Sequence, residues 1–278
     1  MTSVEAHRIE NIIRPRPGWI AVDWRELWDS RELLVFLVWR DITVRYKQTV
    51  LGVAWAVLQP VFSMVVFTII FGNLAKLPSD GVAYPMFVYA GLLPWTFFSN
   101  AVTGASQSLI SQQALLTKIY LPRLFVPAAA VGGGLVDMAV SFAVFAVLMM
   151  VYGVTPGLGL LALPLLVALT AVAALGIGLT LAAVTVTYRD FRYVVPFLIQ
   201  AGLYLSPVIY PVGLVPERWR WVLALNPMTG IIQGFRSSLL GKPWQFDTLA
   251  ISVLVSTLLL VYGLFYFRKM ERRFADVA

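Results

Sequence analysis

The sequence contains no cysteine and a single histidine, His7. The first absence excludes a disulfide framework and thiol chemistry, and the second argues against a histidine-ligated metal site. Charge is scarce too: 13% of the 278 residues are Asp, Glu, Lys or Arg, against roughly 25% in a soluble domain. No segment carries a glycine-rich phosphate loop with its lysine, so the chain is expected to have no nucleotide site of that kind. Clustered acids of the sort a membrane glycosyltransferase needs are missing as well, because Asp137 is the one ionisable residue well inside a long apolar run.

What the chain has in quantity is apolar and aromatic surface. Hydrophobic residues make up 59%, with nine Trp, eleven Tyr and seventeen Phe, and the mean hydropathy is +0.81. Such continuous hydropathy predicts an all-α integral membrane protein; an outer-membrane barrel gives a weak alternating signal instead. Uncharged runs at about 52–75, 84–104, 126–152, 158–187, 194–213 and 248–267 predict six transmembrane helices. A further apolar region, 221–235, is short and broken by Asn226, Pro227 and Gly230. It reads as re-entrant helices before the last span, buried by the bundle because loose backbone cannot face lipid.

Lys and Arg set the orientation. Arg8 through Lys47 precede span 1, Lys118 and Arg123 lie between spans 2 and 3, and Arg189 and Arg192 between spans 4 and 5. Arg268, Lys269, Arg272 and Arg273 follow span 6. Of the 21 cations only Lys76, Arg218, Arg220, Arg236 and Lys242 fall on the other side. The positive-inside rule then predicts that both termini are cytoplasmic. Topology and anionic headgroups account for the formal net charge of +7, so it is not read as nucleic-acid binding. Residues 23–46 place Trp24, Leu27, Trp28, Leu34, Val35, Val38 and Ile42 at helical spacing among charges. The segment is expected to be an amphipathic N-terminal helix on the cytoplasmic leaflet, feeding into span 1.

Two readings of Asp137 stand. An intramembrane acid can serve ion coupling; alternatively it is a hydrogen-bonded packing residue, favoured because no Lys, Arg or His is expected at its depth. The glycines 132–134, with Gly176 and Gly178, are expected to let helices approach closely. Aromatics such as Trp55, Tyr89, Trp95, Phe98 and Tyr204 are either belt and core residues or rings that line a path for sugars.

Five fragments in order resemble one family over nearly the whole chain: "VWRDITVRYKQTVLGVAWAVLQP" at 38–60, "GLLPWTFFS" at 91–99, "LLTKIYLPRLFVP" at 115–127, "YRDFRYVVPFLIQAGLYLSPVIYP" at 188–211 and "NPMTGIIQGFR" at 226–236. They resemble the permease subunit of bacterial ABC exporters for lipid-linked polysaccharides such as O-antigen, capsule or teichoic acid. The resemblance implies a homodimer in the bacterial inner membrane that binds two separate ATPase subunits. Those subunits would hold ATP and Mg, leaving no cofactor in this chain. It implies a cytoplasmic tail and interfacial helix over 1–50, a permease domain over 51–268 with its re-entrant segment at about 214–240, and a cytoplasmic tail over 269–278. Lys118, Tyr120, Pro122 and Arg123 would meet the ATPase, with Arg40, Arg45 and Lys47 at the joint into span 1. Trp55, Tyr89, Trp95, Phe98 and Tyr204 would line a channel between the two copies. The alternatives are an ABC permease for a drug or small lipid and, from another class, a proton-coupled carrier using Asp137.

Overall fold

A computed structural model describes residues 24–47, 52–116, 121–155 and 157–271, and among these every regular element is a helix. Short α1 (Trp24–Asp29) leads through a turn at Ser30 into α2 (Arg31–Lys47). Next come α3 (Gly52–Phe67), continued by a π-helical stretch over Thr68–Leu74, and the 28-residue α4 (Tyr84–Ser111). One turn of helix, α5 (Gln113–Leu116), precedes α6 (Phe125–Tyr152). A 3-10 turn over Leu158–Ala162 leads into α7 (Leu163–Thr187), and α8 (Phe191–Leu205) follows. Beyond it α9 (Glu217–Ala224) and α10 (Pro227–Leu240) precede the last helix, α11 (Phe246–Glu271).

Four helical stretches are long and apolar enough to cross a membrane: Ala54–Leu74, Phe125–Tyr152, Leu158–Thr187 and Phe246–Glu271. The two other sequence-predicted spans differ in kind. α8 is a shorter apolar helix, and it ends at Ser206, where the chain turns rather than continuing to 213. α4 is long enough, about 42 Å at 1.5 Å per residue, but carries more polar groups.

α4 is the hub. It packs against α3, α6, α7, α8 and α10, and Phe87, Val88, Tyr89, Ala90 and Val102 are wholly buried along it. Its neighbours reach it through small residues. A methyl group on Gly178 would lie 2.7 Å from Ala105, and one on Gly91 would lie 2.9 Å from the carbonyl of Val208. α7 and α11 come closer still: a methyl on Gly176 would sit 2.5 Å from the backbone nitrogen of Leu260, and one on Gly263 would collide with the carbonyl of Gly176. In lipid, where apolar burial gives little drive for association, such backbone approach is what holds helices together. The glycines expected to serve packing do so, with Gly132 set against Val38 of α2 and Gly134 against Phe97 of α4.

The expected re-entrant segment is two short helices. Pro227 opens α10, and the side chain of Asn226 accepts a hydrogen bond from the Met228 amide at 3.0 Å while donating to Ser206 Oγ at 2.8 Å. Gly241, at φ +65°, closes the helix in the left-handed conformation. α10 is buried almost throughout and packs on α4, α7 and α11, which answers the requirement that a segment returning into the bilayer be covered by protein.

The N-terminal helix departs from its expectation. It is broken at Ser30, and its apolar residues are not gathered on one face. Leu34, Leu37 and Val38 join the core, whereas Val35, Phe36 and Trp39 are exposed. A helix docked on protein by one side while the other meets lipid needs apolar residues on both.

Candidate functional site

The cationic cluster before span 1 is an internal clamp. Arg45, from the last turn of α2, donates to Asp137 Oδ2 on α6, and the Tyr46 hydroxyl donates to Asp137 Oδ1. This corrects the expectation that no cation shares the depth of Asp137. The packing reading of Asp137 gains two partners that span 1's approach segment supplies. Burial, then the bond to Asp137, pushes the Tyr46 phenol up to about 12, so it remains a donor at neutral pH. One turn earlier, Arg40 bridges Asp41 at 2.7 Å and Gln112 at 2.6 Å. Gln112 is the C-terminal cap of α4 and lies next to α5. Thus Arg40 fastens α2 to the end of α4, and Arg45 fastens it to α6. Lys47 ends α2 and is exposed.

The same end of the bundle collects other segments the sequence assigned to one side. Arg123 donates to the carbonyl of Glu271 at 2.8 Å, Arg268 pairs with Glu271 at 3.0 Å, and Glu26 of α1 lines the same recess beside the buried Pro122. Lys118 and Tyr120 lie outside the described residues.

Above the clamp is a cleft of about 660 Å³ between α3, α4 and α6. Each helix contributes polar or aromatic positions at helical spacing. α3 supplies Trp55 and Gln59, α4 supplies Thr96, Asn100 and Thr103, and α6 supplies Asp137 and Ser141. Sequence reading singled out Asp137 and Trp55 but missed Gln59 and the α4 stripe. The signal was present: three polar residues at i, i+4 and i+7 inside an apolar run.

The five proposed channel aromatics separate. Trp55 and Tyr204 are exposed on the protomer. Tyr89 is wholly buried and donates to the carbonyl of Ser141 at 3.3 Å, while Trp95 and Phe98 are buried and pack against each other. The last three therefore face the interior of a single protomer rather than a path along its surface.

At the opposite end, the buried Arg236 of α10 lies 3.6 Å over the Phe87 ring and donates to the carbonyl of Val208 at 2.7 Å. Lys242 donates to the carbonyl of Asp80, joining the loops that flank α4 and α11. Among the described residues no group of three or more His, Cys, Asp or Glu could hold a metal ion.

Residues 32–240 match the ABC-2 type transporter family. The chain belongs to that family. Among curated relatives of this ABC-2 chain, an O-antigen export system permease protein RfbA from Myxococcus xanthus is 31% identical over 217 residues, 77% of this chain and 82% of that one. An RfbA of the same description from Klebsiella pneumoniae is 26% identical over 88% of this chain and 95% of its own length. The polysialic acid transport protein KpsM of Escherichia coli is 24% identical over 84% and 91%. An ABC-2 membership and apolar helices of spanning length make this a multi-pass membrane protein with a transport role.

Proposed function

We propose that the protein is the membrane subunit of an ATP-driven exporter of lipid-linked polysaccharide in the bacterial inner membrane. The observation that carries the reading is the match, over most of both lengths, to relatives named for O-antigen export and polysialic acid transport. Six crossings, with both termini cytoplasmic, agree with the gathering of α1, the 121–124 segment and the end of α11 at one pole. Two copies of the chain would pair, and two ATPase subunits, holding ATP and Mg, would dock at that pole near Lys118, Tyr120, Pro122 and Arg123.

The clamp suggests how the docking site communicates with span 1. Movement of α5 pulls on Gln112, which is bonded to Arg40. α2 is also bonded to α6 through Arg45, so it moves as a lever against both helices and carries the start of α3 with it. Only contacts that differ between the two states of the dimer can transmit work, and bonds that can part at the clamp are of that kind. The proton-carrier alternative rested on Asp137 alone, and the pairing of that residue with Arg45 and Tyr46 supplies a structural reason for its presence.

The test is to purify the protein from its native host and assay the product. An ATPase carrying a phosphate loop should co-purify in equal amount and be lost when Lys118 and Arg123 are changed to Ala. Deleting the chain should strand lipid-linked glycan inside the cell. A protein that purifies alone and moves substrate without nucleotide would sink the proposal.

A further inference from the structure

The cleft between α3, α4 and α6 has a composition that helix packing does not explain. A polar side chain in a membrane span normally finds a partner on a neighbouring helix, because lipid offers none. Gln59, Thr96, Asn100 and Thr103 line one cleft, and none of these side chains has a hydrogen-bond partner among the described residues. They come from two helices and converge on a single space of about 660 Å³, large enough for more than one sugar ring. Trp55, also in its wall, is exposed on the protomer. The one cation present, Arg45, is already matched by Asp137.

We infer that this cleft is a carbohydrate-binding site within each protomer, in which Gln59, Thr96, Asn100 and Thr103 hydrogen-bond sugar hydroxyls and Trp55 covers the apolar face of a ring. The inference rests on the proposed export of lipid-linked glycan and assigns a residue set to it. Amides and hydroxyls both donate and accept, which suits hydroxyl groups. A phosphate-bearing headgroup would instead call for an uncommitted cation, and the ion pair with Asp137 takes the one at hand. All the walls of the cleft belong to one protomer, on whose surface Trp55, Gln59 and Asn100 are exposed. Arg45 and Asp137 are part of the cleft wall, so parting that pair would widen it toward the α2 end.

The absence of cysteine makes the test direct, because a single introduced thiol reports without background. Asn100→Cys would be produced with its ATPase in host cells in which glycan synthesis is either running or blocked, and labelled with a membrane-permeant maleimide. Labelling should be about threefold or more slower when glycan is being made, as expected for a site held by several hydrogen bonds. Ile69→Cys, outside the cleft, should be unaffected. In parallel, Thr103→Val and the pair Thr96→Val with Asn100→Leu remove hydrogen bonding at nearly constant volume. Each should cut surface glycan by roughly three- to tenfold while the complex is recovered intact with its ATPase activity. Fast labelling in both cells would overturn the inference, and so would full export by the variants. So would equal protection in glycan-free cells, which would mark an ordinary lipid as the occupant. If deleting the whole chain leaves surface glycan normal, the export reading itself fails, and that outcome is separable from failure of the cleft alone.

Discussion

Asp137 shows how much one acid can organise when the chain brings donors to it. Two side chains adjacent in sequence, Arg45 and Tyr46, take its two oxygens. Asp137→Ala removes this acceptor from both and is expected to lower stability by about 1–3 kcal/mol. Arg45→Ala should cost less, because half of the Arg45 side chain is exposed and solvent screens its charge. The double variant should cost less than the two losses combined. The apparent midpoint of tryptophan-monitored thermal unfolding in detergent checks this, and strict additivity would show that the contact carries no coupling. Nothing local in the sequence signals the pair, since 92 positions separate its members. Hydropathy reports which residues are inside the membrane; it is silent about which interfacial residue bends down to meet them.

At the scale of elements four of the six expected spans were legible because twenty apolar residues in a row are a local property. The break at Pro227 marked the start of α10 for the same reason, whereas Gly230, read as another break, lies inside the helix and lets it approach Thr248 and Ser252 of α11. The two-sided character of α2 was not legible, because it depends on α6 lying alongside. The glycines were legible as packing residues but not in their pairings. Those pairings now distinguish positions of equal appearance. Gly176→Ala and Gly263→Ala must each push α7 and α11 apart and are expected to reduce the yield of folded protein in size-exclusion chromatography, at a cost of about 1–3 kcal/mol. Gly157→Ala meets nothing within 4 Å, has no left-handed backbone, and should behave as wild type.

Taken whole, the protomer leaves α3 and α8 among its poorly covered helices. On α3, Trp55, Leu58 and Phe62 are exposed, and on α8 so are Tyr193, Phe197, Leu198 and Leu205. Lipid accounts for part of this surface, and a second copy of the chain for the rest under the proposed function. A single Phe62→Cys or Phe197→Cys variant in the cysteine-free background should therefore form an oxidised species at twice the 30.8 kDa chain mass in native membranes. Met150→Cys, exposed at the far end of α6, should stay monomeric on the same gel. Crosslinking confined to Met150 would place the interface elsewhere.

The π-helical stretch at Thr68–Leu74 gives span 1 a slack length of chain. A π turn holds more residues than an α turn, so the surplus can be removed by tightening the coil. Deleting Ile69 is expected to convert the stretch to α-helix and leave Trp55 and Gln59, on its N-terminal side, in register with Asp137. One residue removed between Leu93 and Asn100 has no such reserve: each residue turns a helix by about 100°, and the polar stripe of α4 would swing away from the cleft. Length tolerance along this chain thus becomes a map of where its registers are stored.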